Sequence, residues 1–404
     1  MVYPVIIVGG GFSGLVLANG LVDNNIDFLL LERNDRVGKK LLATGNGRGN
    51  VSNKNIALEN YHGTEVSFAE YALKKYDNRH IEGFFDKKGI ILTCEDNKVY
   101  PASLQANALL DGLRHYIDGR KIITNAYVTD IAYDKAKKVF SVKTKDAVYQ
   151  SKAVALCVGG KAGKAFGTDG SSYKLSEAFG HKVSKLYPSL VQLVVDKNAV
   201  KGLKGVKQTV KATLKIGGKL VNSAVGDLLF TDNGLSGNTI FTLSSQVAGH
   251  KDCEIFVEFL PKIELEAIVE SLKNRRASYP TLLGEALLSG LVHSRISTKL
   301  AMEHGVSKLT LDQISDKQIV NLAKALKNTQ FKVVDTLGFD NAQVTHGGVL
   351  TRDVDSVTMQ SKLVKGLYLC GELLDIAGDC GGYNLHWAYA TANCVLGAIL
   401  NGNR

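Results

Sequence analysis

The sequence reads VIIVGGGFSG at residues 5–14 and FLLLE at residues 28–32. Between them, apolar residues recur at helical spacing from position 15 to position 21. This pattern predicts a strand–turn–helix–strand unit, because an apolar run is followed by a glycine turn, a helical period and a second apolar run that ends on an acid. Such a unit is typical of doubly wound proteins, and we therefore predict an α/β fold with a Rossmann-like domain.

The glycines of this turn stand where a dinucleotide site needs them. Gly9 permits the tight turn, Gly11 lets the backbone approach a pyrophosphate, and Gly14 lets the helix pack closely on the strand. The free N–H groups and the positive dipole end of the helix then face the phosphates. Glu32, at the tip of the second strand, is placed to accept hydrogen bonds from a ribose diol. Many glycine turns are purely structural, but the flanking strand, helix and acid favour a dinucleotide site.

Composition narrows the class of protein. The chain has 404 residues, 45% of them hydrophobic, which is typical of a globular protein with two or three domains. Its six cysteines form no CxxC pair and no regular spacing, so we expect a reducing compartment, no disulfide framework and no metal site. The N-terminus enters a strand at once and no apolar run is long enough to cross a bilayer, which favours a cytoplasmic protein without membrane contact.

The formal net charge of +10 comes from scattered rather than clustered lysines. This pattern favours a basic enzyme with an anionic cofactor and a small-molecule substrate over a nucleic-acid binder.

A second glycine-rich stretch, GKKLLATGNGRGN, follows at residues 38–50. Alternating glycines among Thr, Asn and Arg disfavour a packed helix and predict a loop rich in backbone donors. Lys40 and Arg48 are then available for phosphate or flavin oxygens. The alternative is a flexible surface loop.

The C-terminal part carries a second site pattern. Gly371-Glu372 ends a predicted strand, and Gly381-Gly382 precedes an alanine-rich helix. Glu372 is suited to a ribityl hydroxyl, and the helix start presents N–H groups to a flavin ring, which gains negative charge on reduction. Two helix N-termini predict FAD, because NAD would use only the first. Another glycine turn, Gly159-Gly160, lets backbone approach the cofactor again.

The pattern between these two regions changes near residue 188. Residues 190–258 are β-rich, and leucines at helical spacing predict helices at 286–291 and 320–326. We predict an FAD-binding domain in two parts, 1–188 and 339–404. Between them we predict an inserted β-rich subdomain at 189–260 and an inserted helical subdomain at 261–338.

The chain resembles the BaiN/YhiN-type family of FAD-dependent oxidoreductases, which includes a bacterial aminoacetone oxidase. The matching stretches are VGGGFSGL at 8–15, GKKLLATGNGRGN at 38–50, LLFT at 228–231 with GLSG at 234–237, TMQSK at 358–362, and GELLD at 371–375 through GGYNL at 381–385. The resemblance implies a flavin domain interrupted by a two-part insert, and FAD contacts by Arg48 and Asn50. It departs at Gly49, where the family usually has cysteine, so a thiol role is absent here.

The predicted site combines these stretches. The residues that we predict to contact FAD are Gly9, Gly11, Phe12, Ser13, Gly14, Glu32, Arg33, Lys40, Leu41, Thr44, Gly45, Asn46, Gly47, Arg48, Asn50, Val128, Gly159, Gly160, Gly371, Glu372, Gly382, Tyr383, Asn384 and Leu385. For proton transfer we predict His386, one turn inside the C-terminal helix, followed by Tyr383 and His346. The alternative for the two histidines is a structural role, which for His346 would be support of the Gly347-Gly348 turn.

We predict an FAD-dependent oxidoreductase that transfers hydride between flavin N5 and a small organic substrate. The favoured reaction is reduction of an activated double bond with NAD(P)H as a transient electron donor. The one dinucleotide unit is assigned to FAD, so NAD(P)H would have no Rossmann domain of its own. Two alternatives stay open, because the resembled family includes a steroid double-bond reductase and an amine oxidase. They are a flavin amine oxidase that produces hydrogen peroxide and, on the basic charge alone, an RNA-associated flavoprotein.

Overall fold

A computed structural model of the chain describes residues 1–402. Its strands are β1 (Val2–Val8), β2 (Phe28–Leu31), β3 (Ser52–Asn53), β4 (Tyr61–His62), β5 (Leu92–Glu95), β6 (Lys98–Pro101), β7 (Ile122–Ile123), β8 (Val128–Asp134), β9 (Val139–Thr144), β10 (Val148–Leu156), β11 (Tyr187–Ser189), β12 (Leu193–Val195), β13 (Lys207–Ile216), β14 (Lys219–Phe230), β15 (Gly234–Ser236), β16 (Cys253–Glu258), β17 (Thr329–Thr336), β18 (Val344–His346), β19 (Leu367–Leu369) and β20 (Ala377–Gly378).

The described residues also form α-helices. They are α1 (Phe12–Asp23), α2 (Lys39–Leu42), α3 (Glu70–Lys75), α4 (Asn78–Lys87), α5 (Ala106–Arg114), α6 (Tyr173–Glu177), α7 (Lys197–Val200), α8 (Asn238–Ser244), α9 (Leu265–Ser278), α10 (Ser294–Glu303), α11 (Asp316–Lys327) and α12 (Tyr383–Gly402). Over residues 1–402, none of the helices has both the length and the apolar content needed to cross a membrane.

The chain folds into two compact units. The first contains Met1–Pro188 and the chain from Ala342 onward, and the second contains Ser189–Asn341. The first unit is discontinuous in sequence, because the whole second unit is inserted into it.

A central sheet organises the first unit. Its order is β7–β2–β1–β10–β9–β8, and β19 also pairs with β10. β1 lies parallel to β2 and β10, and β10 lies parallel to β19. All of β2 and the last four residues of β1 are buried, which is why both read as continuous apolar runs. The predicted Rossmann-like α/β fold is confirmed, and the carboxyl ends of five parallel strands (β7, β2, β1, β10 and β19) meet at one edge of the sheet.

Helices α1 and α12 pack against each other in parallel. A β-carbon built on Gly20 of α1 would lie 2.4 Å from Leu396 of α12. Near the helix starts, Gly371 lies between Ser13 and Ala388, since a β-carbon there would be 3.5 Å from the Ser13 hydroxyl and 3.4 Å from the Ala388 methyl. Between these two points both helices advance about two turns in the same direction. The N-termini of α1 and α12 therefore lie at the same end of the helix pair.

The second unit is built around a closed barrel in the order β12–β15–β14–β13–β16–β17. Buried residues of the barrel and of α9, α10 and α11 form one hydrophobic core. The predicted helix at 320–326 lies within α11, but the predicted helix at 286–291 is wrong. That run contains Gly290 at φ 81° and a bridge between Ser289 and Val292, so its apolar residues are core residues of a turn. The split of the insert into two subdomains stays a prediction.

Candidate functional site

In the glycine turn between β1 and α1, backbone atoms leave no room for a side chain at two of the glycines, whereas the third faces open space. A β-carbon on Gly9 would lie 2.4 Å from the Cys157 carbonyl oxygen, and one on Gly14 would lie 2.0 Å from the Gly9 carbonyl oxygen. A β-carbon on Gly11 would meet none of the described atoms within 4 Å. Gly9 and Gly14 are therefore required by packing, whereas Gly11 leaves open space in front of the helix.

Glu32 fastens the end of β2 to this turn. Its Oε2 accepts from the Gly10 N–H at 2.7 Å, and its Oε1 accepts from the backbone and side-chain N–H groups of Asn34 at 2.8 and 2.7 Å. The Glu32 carbonyl accepts from the Ala126 N–H at 2.8 Å. Val128 lies two residues further on, at the buried start of β8. A carboxylate has about four acceptor positions, so Glu32 retains capacity for a ligand hydroxyl.

Arg33 binds the turn-rich loop at residues 167–172. Its Nη1 and Nη2 donate to the two carboxylate oxygens of Asp169 at 2.9 and 3.2 Å, and its guanidinium lies 4.8 Å from the centre of the Tyr127 ring. Burial alone would raise the pKa of Asp169, but hydrogen bonds from Arg33 and Ser171 outweigh it and lower that pKa well below its usual range. The side chain of Arg33 is therefore held by the protein beside β2.

Lys40 and Glu372, both predicted to contact FAD, form an ion pair with each other. Lys40 Nζ lies 2.6 Å from Glu372 Oε2 and donates to the Ala162 carbonyl at 3.0 Å. Glu372 Oε1 accepts from the Thr345 N–H at 2.8 Å. A β-carbon on Gly160 would lie 2.4 Å from the Thr345 hydroxyl. The turns that follow β10 and β19 are thus joined, and Thr345 is a member of the site that sequence reasoning missed.

The loop after α2 is a built turn. The Thr44 hydroxyl donates to the carbonyl of Leu41 at 2.7 Å, and the Leu41 side chain is buried. Gly45, Asn46 and Gly47 have φ angles of 56°, 57° and 83°. Glycine and asparagine adopt this left-handed conformation at low cost, which explains the residue pattern of the loop.

Arg48, the next residue of this loop, is half-buried, and Gly49 after it is buried. Arg48 pairs with Glu95 and lies 4.4 Å from the centre of the Tyr100 ring. Gly49 has φ 75°, and a β-carbon on it would lie 2.8 Å from Leu109. The cysteine that the resembled family usually has therefore does not fit this backbone without rearrangement.

The start of α12 is held by polar side chains from two directions. With its amide oriented to satisfy both ends, Asn50 donates to the carbonyl of Ser52 at 2.8 Å and accepts from the Gly382 N–H at 3.1 Å. The Asn384 side chain exchanges hydrogen bonds with the backbone of Gly378 at 2.8 and 2.7 Å. Leu385, next in the helix, is half-buried. The first turn of α12 is therefore fixed, and its backbone N–H groups remain without intrahelical partners.

His386 is fully buried against Ser52. Its Nδ1 lies 2.8 Å from the Ser52 hydroxyl, which also donates to Asn78 Oδ1 at 2.8 Å, and the Asn78 amide donates in turn to the Lys54 carbonyl. Ser52 therefore accepts from Nδ1–H. Nε2 is buried, and the backbone of Tyr76 lies beside the ring. Burial lowers the pKa of His386 to about 4, so the ring is neutral near pH 7.

The other two groups predicted for proton transfer are also enclosed. Tyr383 is buried with its ring edge-on to Tyr61 at 6.0 Å, and burial raises the pKa of its phenol. His346 is half-buried at the end of β18, its Nδ1 is buried without a hydrogen-bond partner in the described chain, and burial lowers its pKa. A catalytic role for His386, Tyr383 or His346 stays a prediction.

The first unit fits an FAD molecule in two respects. The open space over Gly11 faces the start of α1, and no side chain of the described chain caps that helix. Neither α1 nor α12 has an acidic residue in its first turn, where a carboxylate would compete with a bound anion. Because the two helices are parallel neighbours, their N-termini present backbone N–H groups at the same end of the pair, which suits a cofactor with two anionic groups. The predicted contacts of individual residues with FAD stay predictions.

Comparison with known proteins places the chain in a family. Residues 3–397 match the family described as HI0933-like protein Rossmann domain. A 3-dehydro-bile acid delta(4,6)-reductase of Clostridium scindens is 34% identical over 392 residues, which are 95% of this chain and 96% of that protein. A ribosomal RNA dihydrouridine synthase of Haemophilus influenzae is 27% identical over 96% of both proteins.

A solved structure shares the fold. The 3-ketosteroid delta1-dehydrogenase from Sterolibacterium denitrificans superposes with a TM-score of 0.50 at 13% identity, over 99% of this chain and 100% of that one. The resemblance to the BaiN/YhiN-type family is confirmed by the family match and the 34% identical relative. This chain is an oxidoreductase and belongs to the HI0933-like family of FAD-dependent oxidoreductases.

Proposed function

We propose that this chain reduces a carbon–carbon double bond conjugated to a carbonyl group, with NAD(P)H as the electron donor. The observation that carries the proposal is the 34% identity, over 95% of the chain, to a protein named as a delta(4,6)-reductase of a 3-dehydro-bile acid. A double bond at position 4 is conjugated to an oxo group at position 3. Conjugation lets the carbonyl oxygen take up charge, which makes the double bond an acceptor of hydride.

The residues at the sheet edge of the first unit would hold FAD. The N–H groups of α1 beside Gly11 would bind the pyrophosphate, and Glu32 would accept from the ribose of the adenosine half. Glu372, anchored by Lys40, would meet the ribityl chain, and the start of α12 at Gly382 would face the ring. When bound, FAD supplies the hydride that the double bond accepts.

The experiment that tests this function separates the two half-reactions. The flavoprotein is mixed anaerobically with NADH or NADPH while the flavin absorbance is followed, and the reduced protein is then mixed with androst-4-ene-3,17-dione. We expect bleaching by one of the two nicotinamides and recovery of the absorbance on addition of the enone. Reduced flavin that the enone does not oxidise would refute the proposal.

The amine oxidase alternative gives the opposite pattern. An oxidase would be bleached by a primary amine such as aminoacetone and would return electrons rapidly to oxygen with formation of peroxide. We expect slow reoxidation by air instead. Fast peroxide production with an amine would show that the protein oxidises amines and would refute the proposed reduction.

A second candidate substrate is RNA. The relative that is 27% identical over 96% of the chain is named as a ribosomal RNA dihydrouridine synthase. Dihydrouridine is a uridine whose ring double bond is reduced. Residues 201–219 hold six lysines and no acidic residue. Incubation with unmodified ribosomal RNA and NAD(P)H, followed by mass spectrometry of the nucleosides, tests this candidate by a gain of two hydrogens per uridine. Binding would also weaken steeply with salt.

A further inference from the structure

We propose that His62 and Asp379 form the proton-donating pair of the first unit, in which His62 gives the proton on Nδ1 to the reduced substrate and Asp379 positions the ring. This inference rests on the proposed reduction of a conjugated double bond. It names a donor outside the three groups predicted from the sequence.

The backbone brings the two residues together at the approach to α12. His62 ends β4, which pairs antiparallel with β20 so that His62 lies opposite Ala377. Asp379 follows β20 directly and comes four residues before Tyr383, the first residue of α12. The pair therefore borders the end of the site at which we place the flavin ring.

The hydrogen bonds define which nitrogen carries the transferable proton. His62 Nε2 lies 2.7 Å from Asp379 Oδ1. A carboxylate only accepts, so the shared proton belongs to Nε2, and Nδ1 is the position that gains and loses the second proton.

Asp379 is itself anchored, so the ring orientation is fixed. Its N–H donates to the Asn60 carbonyl at 2.9 Å, and its carbonyl accepts from the Asn384 amide at 3.3 Å. The Asn60 amide approaches the second carboxylate oxygen at 3.5 Å. These contacts tie the pair to the first turn of α12.

Accessibility distinguishes this pair from the buried His386 and Tyr383. The side chains of His62 and Asp379 are 22% and 19% exposed, whereas His386 is fully buried and its ring is neutral near pH 7. The unpartnered Nδ1 of His346 is buried as well. A general acid must reach the atom that takes its proton, and it must be reprotonated by solvent afterwards.

The proposed step balances as hydride plus proton. Hydride adds to the carbon β to the carbonyl, and the electron pair of the double bond moves onto the carbonyl oxygen to give an enolate. The enolate re-forms the carbonyl as its α carbon takes the Nδ1 proton of His62. His62 is left neutral, still donating from Nε2 to Asp379, and water restores the Nδ1 proton.

The test uses the photoreduced holoenzyme under anaerobic conditions, so that it depends on no nicotinamide. Reoxidation of the flavin by androst-4-ene-3,17-dione is followed in wild type, His62→Ala, Asp379→Asn and the control His115→Ala, whose histidine is exposed after α5. We expect His62→Ala to slow reoxidation by about 10²- to 10⁴-fold and added imidazole to restore part of the rate. We expect a smaller loss in Asp379→Asn and none in the control, with FAD content and visible spectrum unchanged throughout.

A second readout does not depend on turnover. In the oxidised holoenzyme, ¹H–¹⁵N NMR of the imidazoles should place the proton of neutral His62 on Nε2, and Asp379→Asn should shift or remove that signal. A neutral ring protonated on Nδ1 would overturn the proposal.

The outcomes separate the pair from the reaction. Reoxidation of His62→Ala at the wild-type rate, or a loss that imidazole does not rescue, would overturn His62 as the donor. Wild type that the enone fails to reoxidise would refute double-bond reduction, and the pair with it, on a measurement that involves none of the variants.

Discussion

Gly11→Ala should weaken FAD binding while it leaves the fold intact. Gly11 is the N-cap residue of α1, with φ −76° and ψ −170°, a conformation that alanine adopts without strain. Its β-carbon would meet none of the described atoms within 4 Å, so the added methyl group occupies only the space in which we place the pyrophosphate.

The structure sets the expected magnitudes. Replacing glycine by alanine in an allowed conformation stabilises by about 0.4–1 kcal/mol through the unfolded state, and the poorer N-cap offsets a similar amount. The free energy of unfolding of the flavin-free protein should therefore change by less than about 1 kcal/mol. Displacing one hydrogen bond to a charged phosphate costs about 1.5–3 kcal/mol, which corresponds to an increase of about 10- to 100-fold in the Kd of FAD.

The matched control is Gly14→Ala in the same helix. Its β-carbon would lie 2.0 Å from the Gly9 carbonyl oxygen, and the backbone must shift to accept it. We expect this variant to lose about 1–3 kcal/mol of stability or more. Urea unfolding of the flavin-free proteins and titration of FAD fluorescence measure the two effects separately. Gly11→Ala that binds FAD as tightly as wild type would refute the assignment of this turn to the pyrophosphate.

Three further predictions concern stability. Gly49→Cys should destabilise the protein by about 1–3 kcal/mol in urea unfolding, because the residue has φ 75° and its β-carbon would contact Leu109 at 2.8 Å. The pKa of His386 is about 4 in the folded protein and about 6.5 in the unfolded chain. As pH falls from about 6.5 to about 4, the unfolded chain binds a proton that the folded protein does not, so the protein loses stability. His386→Asn, which keeps a donor toward Ser52, should remove about 3 kcal/mol of this loss in the free energy of unfolding. If the variant lost as much stability as wild type between pH 7 and pH 4, the burial argument would be contradicted. Asp23→Ala should destabilise by about 1–3 kcal/mol, because the buried Lys88 ammonium would lose its 2.8 Å carboxylate partner, and a stability equal to that of wild type would show that water replaces it.

Local pattern was sufficient wherever the physics is local. The β1–α1–β2 unit could be read from VIIVGGGFSG and FLLLE because buried parallel strands are continuously apolar and glycine turns have few alternatives. Glu32 lies at the tip of β2 as predicted, and its bond to the Gly10 N–H explains why an acid follows that strand. Short apolar runs were less informative, since residues 286–291 have helical spacing but form part of a turn-rich core.

The candidate site exceeded what local pattern can predict. The sequence predicts both Lys40 and Glu372 as cofactor contacts, but not that they pair with each other, because they lie 332 positions apart in the chain. His62 and Asp379 carry no motif, and they meet only because β4 pairs with β20. Thr345 lies in β18 and joins the site by donating its backbone N–H to Glu372, in the turn that follows β19.

The sequence by itself determined the Rossmann-like unit, the family and the two glycine-led helix starts, because strand and helix periods and the conformational freedom of glycine act over a few residues. Only the tertiary structure decided that α1 and α12 run parallel, that β17 closes the barrel after three helices, and which charged side chains pair. Those features depend on packing between segments far apart in the chain, and hydrophobic periodicity records which residues are buried without recording what they are buried against.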